Sequence, residues 1–139
     1  MKSRRAGSAL IEFAGSLIVV SALFTGIFQF SYALSTYHAL VNAVRAGARY
    51  ASLQPQPSDS AKPGFNKAVQ NVVAYGDPAP PANAKPGAPG LAPGNVELIV
   101  EHGAVTVSVR GFELDAIFSK IKLDGRPTVT FPMTRPASK

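Results

Sequence analysis

The feature that most constrains this chain is a run of thirty-two residues, Phe13 to Val44, without one formally charged side chain. Extended back to Ala6, the run contains a single charge, Glu12. Roughly twenty apolar residues suffice to cross a hydrocarbon layer about 30 Å thick. Leu17-Ile18-Val19-Val20, Leu23-Phe24, Ile27-Phe28 and Phe30 supply them, and no proline interrupts. All twelve prolines and almost all the remaining charge lie further along the chain. The sequence is therefore two materials joined end to end, a bilayer-soluble segment and a polar head from about residue 52 onward. A head of that size buries a modest core and needs support from outside its own strands.

Charge gives the orientation. Lys2, Arg4 and Arg5 stand immediately before the apolar run, and basic flanks stay cytoplasmic, so the expected arrangement is amino terminus in, head out. Those three residues also supply half of the net charge of +6. Without them, eleven basic and eight acidic side chains remain, a net +3. The remaining basic residues are scattered, with no aromatic platform among them, and nucleic-acid binding is not expected. The absence of cysteine excludes disulfides, thiolate catalysis and cysteine metal sites.

Glu12 sharpens the reading. A carboxylate near the middle of a membrane helix costs on the order of 3 kcal/mol, less near an edge, so its position calls for a partner. Gly7 lies five residues before it, just after the basic tail. Cutting the Gly7–Ser8 bond would create an α-amino group on Ser8, one helical turn from Glu12 and on the same face. Such a cation can pair with Glu12 of its own chain or of a neighbour. A pair of this kind would set the register between helices more than it adds stability.

The stretch Gly7-Ser8-Ala9-Leu10-Ile11-Glu12-Phe13 resembles the prepilin-peptidase site of type IV-like pilins: a glycine, four residues, then glutamate and an aromatic. Ser8 to Ala14, together with Asn42-Ala43-Val44-Arg45-Ala46-Gly47-Ala48-Arg49-Tyr50-Ala51, is similar to the two signature stretches of the TadE-like family. That family comprises minor pilins, or pseudopilins, of tight-adherence (Tad) pilus systems. The resemblance covers the first fifty residues. It implies processing at Gly7 and Ser8, assembly through Glu12 and Phe13, and a family block at Arg45, Gly47, Arg49 and Tyr50 near the membrane. It also implies the partners: a prepilin peptidase, other pilins or pseudopilins, the pilus assembly platform and the lipid bilayer. The implied location is the inner membrane, single pass, with the head periplasmic or extracellular, in a surface filament where one forms.

Nothing from Ser8 to about Ser52 stops a helix, since the first proline is Pro55. The expected rod over 8–52 is about 65 Å long, twice what spanning requires. It should cross the membrane and continue as the spine of the head, with Tyr32, Tyr37 and His38 at the interface. Leu40, Val44 and Ala48 would then meet the head, while Ala43 and Gly47 allow close approach. Arg45 and Arg49 lie four apart on one face, suited to lipid headgroups, to neighbouring subunits or to the last carbonyls of the helix. In the membrane half, Gly15 and the pair Ala22 and Gly26, four apart, offer small residues for helix packing and self-association.

In the head, 53–76 should hold a loop and a short helix between Pro63 and Gly76, with Phe65, Ala68, Val69 and Val72 on one face. Residues 77–94 form a Pro/Gly-rich spacer, expected to be extended; from Gly76 to Gly94 there are six prolines and four glycines. This tract departs from the family. Over 95–139 the period switches to two. Val96, Leu98 and Val100 alternate with Glu97 and Glu101, and Val105, Val107 and Val109 with Thr106, Ser108 and Arg110, around a His102-Gly103 turn. Phe112, Leu114, Ile117 and Phe118 read as an apolar crossover. A third strand, Thr128 to Met133, is placed at an edge by Pro127 and Pro132.

The expected fold class is α+β: a long amino-terminal helix packed on a small antiparallel sheet of about three strands, the general plan of pilins. No catalytic, cofactor or metal constellation is visible. His38 and His102 lack ligand partners at metal spacing, apart from Glu101 beside His102, and the glycines lack the lysine and hydroxyl of a phosphate loop. Three functions remain: a minor pilin or pseudopilin, a principal filament subunit, or an unprocessed membrane-anchored periplasmic scaffold. The head is larger than in the very short principal pilins of Tad systems, which favours the first.

Overall fold

The computed structural model describes residues 2–58, 60–116 and 119–134. The side chains of Lys2, Arg4 and Arg5, and Ile117 and Phe118 of the expected crossover, lie outside what is described. Helix α1 runs unbroken from Lys2 to Leu53, 52 residues, or about 78 Å at 1.5 Å per residue. From Gly7 to Phe28 every residue is exposed. From Ala33 onward one stripe sinks into the head: Thr36, Leu40, Val44, Gly47, Ala48 and Ala51 are buried, at the three- and four-residue spacing of a single helix face.

Helix α2, Lys62–Tyr75, begins with Pro63 in its first turn and closes at Gly76, whose N–H donates to the Val72 carbonyl. It lies beside the spine, burying Val69, Val72, Val73 and Ala74. Gly47 is the point of closest approach. A Cβ there would collide with Val73 Cγ2 and stand 3.6 Å from the Val69 carbonyl oxygen. Gly47→Ala should therefore destabilise the head. Overpacking a filled core costs about 1–3 kcal/mol, against about 1 kcal/mol gained from alanine's helix propensity. Gly64→Ala, where nothing lies within 4 Å, should stabilise by about 0.4–1 kcal/mol. Opposite signs in denaturant melts of the detergent-solubilised chain would check the pair.

The main sheet has strand order β1-β2-β5 and is antiparallel throughout. β1 (Val96–Glu101) and β2 (Ala104–Val109) form the expected hairpin, with Glu101 opposite Ala104 across a His102-Gly103 turn. Both turn residues have positive φ, 50° and 73°, the signature of the turn whose twist matches two antiparallel strands. β5 (Thr128–Pro132) lies at an edge, as its prolines require. Alternation places Val105, Val107 and Val109 fully inside and Glu97, Ile99, Glu101, Thr106 and Thr130 outside.

Two expectations need correcting. The stretch taken as a crossover is a second hairpin, β3 (Phe112–Ala116) with β4 (Ser119–Leu123), forming its own two-stranded sheet. Phe112 and Leu114 fill the core from it, while Glu113 faces Lys122 at 3.6 Å and Lys120 at 3.8 Å. The Pro/Gly tract is also more than a spacer. It is irregular, but Ala88 and Leu91 are buried, and the Gly87 N–H donates to the Ala74 carbonyl at 2.8 Å. Asn95 then fixes its exit, accepting from the Ala92 N–H and donating to the Arg110 and Gly111 carbonyls.

The result is a single core shared by α1, α2, the tract and both sheets. The α+β architecture expected from the sequence is the one observed. The last residue described in the chain reaches back to the spine's end: the Thr134 N–H and hydroxyl both donate to the Ser52 carbonyl, at 3.1 and 2.7 Å.

Candidate functional site: the bare half of the long helix

Among the described residues one helix, over Gly7–Leu53, is long and apolar enough to cross a membrane, and none of its most apolar window is buried. Leu10, Ile11, Phe13, Ile18, Phe24, Ile27, Phe28 and Phe30 are each more than three-fifths exposed, and they point in every direction around the axis. In water such a surface is untenable, because contiguous apolar patches on soluble proteins rarely exceed a few hundred Å². A helix apolar all round belongs inside a protein or a bilayer. From Gly7 to Tyr32 the bare segment is about 38 Å long, enough for a hydrocarbon layer of about 30 Å.

Local chemistry keeps this segment helical. It contains no proline, and its hydroxyls bond back into the helix: Ser16 Oγ donates to the Glu12 carbonyl at 2.9 Å and Thr25 Oγ1 to the Ser21 carbonyl at 2.8 Å. These bonds satisfy polar groups that lipid could not. Gly7 and Ser8 lie within the helix and are exposed, with nothing within 4 Å of a Cβ at Gly7. Glu12 and Phe13 are exposed one turn further on.

The small residues share a face. At about 100° per residue, Gly15, Ala22 and Gly26 fall within about 40° of one another. Gly26 also opens a series at seven-residue spacing, Gly26, Ala33, Leu40 and Gly47, that runs straight into the head-packed stripe. Ser8, Gly15, Ala22 and Gln29 form a parallel series at the same spacing. The sequence shows the four-residue pair; the continuity of this face with the head-binding face emerges only once the buried stripe is known.

The block Arg45, Gly47, Arg49 and Tyr50 divides between two sides of the spine. Gly47 is buried against α2, and Tyr50 is half-buried against the core. Arg45 and Arg49 are exposed on the opposite side, away from the head. Neither arginine lies in the last turn of α1, so capping of its carbonyls falls to Ser52, bonded to the Arg49 carbonyl, and to Thr134.

No curated protein and no solved structure matches the chain significantly. A family model described as TadE-like protein matches residues 7–49. The matched stretch begins at Gly7, covers the whole bare helix and ends at Arg49 within the spine, so it leaves out Tyr50 and the capping residues Ser52 and Thr134. Over residues 7–49, then, this chain is similar to the TadE-like family, whose members are structural, pilus-related, pilin-like proteins.

Proposed function

We propose that the chain is a minor pilin, or pseudopilin, of a Tad-type pilus system, cut after Gly7 by a prepilin peptidase and assembled through its bare helix. One observation carries the reading: a 52-residue helix whose second half is locked into a head while its first half, within the TadE-like segment, stands apolar on every side. Before assembly that half is held by the inner membrane, with Lys2, Arg4 and Arg5 on the cytoplasmic side and the head outside. On assembly it exchanges lipid for the helices of other pilins. The small-residue face through Gly15, Ala22 and Gly26 permits the close contact this exchange needs.

Glu12 is the residue that makes the exchange selective. Near the membrane edge a lone carboxylate is tolerated; within a helix bundle it demands a cation. The new amino group of Ser8, four residues away, is that cation, on its own chain or on the next. Glu12→Ala should therefore leave membrane insertion unchanged by carbonate extraction, and should remove the subunit from sheared surface filaments. Normal incorporation of the alanine variant would show that this carboxylate plays no part in assembly.

A further inference from the structure

The spine has a second face that the head leaves open. Taking Leu40 as the centre of the packed stripe, Arg49 lies half a turn round the helix, and His38, Asn42 and Arg45 fall within about 40° of it. All four are exposed. Neither arginine has an ion-pair partner among the described residues. Lipid does not reach them. With Tyr32 at the hydrocarbon boundary, Arg45 and Arg49 stand about 20 and 26 Å above it, whereas the headgroup layer is about 5–8 Å deep on each side. A partner for these charges is a protein surface.

The complementary surface lies on the other side of the same head. β1 turns Glu97, Ile99 and Glu101 outward, away from α1, because Val96 and its alternates face the core. Ile99 is 39% exposed between the two carboxylates. Glu97 is held at 2.6 Å by Arg110, whereas Glu101 is exposed and has no partner among the described residues. The layer order, open face of α1, core, sheet, puts arginines and glutamates on opposite sides of the molecule.

They also stand at the same height. The β1–β2 turn is level with the end of the spine, because Gly103 accepts from the Met133 N–H and the next residue, Thr134, bonds to Ser52. The other end of β1 is level with Gly47: the Val96 carbonyl accepts from Gln70 Nε2, one turn from Val73, which packs on Gly47. Glu97 to Glu101 therefore spans the stretch of spine that carries Arg45 and Arg49. Copies anchored in one bilayer share these heights without adjustment.

We infer that copies of this chain stack front to back, the Arg45–Arg49 face of one head against the Glu97–Ile99–Glu101 face of the next. The inference rests on the reading of the bare helix as an assembly surface, extends it to contact between copies of this chain, and adds the contact between heads. A two-fold back-to-back contact between parallel helices would set Arg49 against Arg49, which like charge disfavours. Front-to-back contact pairs opposite charges and repeats, since each head offers both faces, giving an open row rather than a closed dimer. A single exposed ion pair contributes little alone. Confinement of both partners to one membrane at fixed height raises their effective concentration enough for a modest contact to be occupied.

The chain has no cysteine, so introduced ones report contacts cleanly. Full-length Ala46→Cys and Ile99→Cys chains, both exposed positions that spare the charges, would be co-produced in their native membrane and treated with a short bismaleimide. The expected result is a cross-link between unlike chains, and a ladder when both substitutions sit in one chain. Arg45→Glu with Arg49→Glu should cut the yield several-fold, and Glu101→Lys in the facing copy should restore it. Stronger Ala46→Cys self-cross-linking, or no 46–99 product, would overturn the inference. An Ala22→Cys chain reports helix association separately. Helix cross-links without head cross-links would refute the head contact alone, and loss of both would remove the filament reading with it.

Discussion

Gly7→Leu is expected to leave every copy of the chain seven residues too long. In cells with an active prepilin peptidase, intact mass of the membrane-purified wild-type protein should correspond to a chain beginning at Ser8, and that of the variant to the unprocessed chain. The structure makes the experiment clean. Gly7 lies on an exposed stretch of α1 with nothing within 4 Å of an added Cβ, so a side chain begins there in open space. Leucine is also a better helix former than glycine by most of the roughly 1 kcal/mol that separates glycine from alanine. Folding and insertion should thus survive, and a change in mass reports recognition by the peptidase alone. The outcome separates the functional readings sharply. A wild-type chain that keeps Lys2, Arg4 and Arg5 would make the protein an anchored scaffold, indifferent to what stands at position 7.

Leu40→Ala is expected to cost about 2–5 kcal/mol, the range for removing a buried leucine and leaving part of its volume empty. Leu40 is 0% exposed and is the largest fully buried residue the spine contributes. Its neighbours come from rigid elements, so the cavity has little scope to collapse. At roughly 0.05–0.15 kcal/mol per residue, a head of this size has about 4–13 kcal/mol in total. The substitution should remove a large share of it, seen as a lowered denaturant midpoint in detergent and as protease sensitivity confined to the head. The bare half of α1 should keep its helicity, because it makes no contact with Leu40's surroundings. A variant as resistant as the wild type would mean that the spine is not what closes the core.

The two hairpins show where sequence reasoning reaches and where it stops. β1 and β2 are legible because apolar residues alternate without a break on both sides of a turn that glycine suits. β3 and β4 carry the same alternation, Phe112 and Leu114 against Glu113, then Ile121 and Leu123 against Lys120 and Lys122. But the adjacent apolar pair Ile117 and Phe118 interrupts it, so the whole stretch reads as one irregular apolar run. The available signal was electrostatic: Glu113 lies opposite Lys122, and a carboxylate facing lysines across five-residue strands suggests pairing. Burial of Ala88 and Leu91 had no such signal, because a tract without periodicity gives no hint of which residues turn inward.

In the long helix the balance is different. Its existence, its bare apolar half and its packed residues Leu40, Val44, Gly47 and Ala48 all follow from charge, proline placement and three-and-four spacing. The division of the Arg45–Tyr50 block into a buried and an open side does not. It depends on where the head sits around the axis, which is fixed by α2 and the sheet, elements distant in sequence.

The pair of hydrogen bonds from Thr134 to the Ser52 carbonyl ties the last described residue of the head to the end of the spine, along the face of α1 that the head covers. Tension applied between the bare end of α1 and the head is then borne in shear. Leu40, Val44, Ala48 and Ala51 must slide past their neighbours together, and the Thr134 clamp at the far end must open, before the rod can slip. Strands peeled one at a time from an edge yield at low force; interlocked side chains spread over about three turns share the load. A head attached in this way is suited to a body that is pulled.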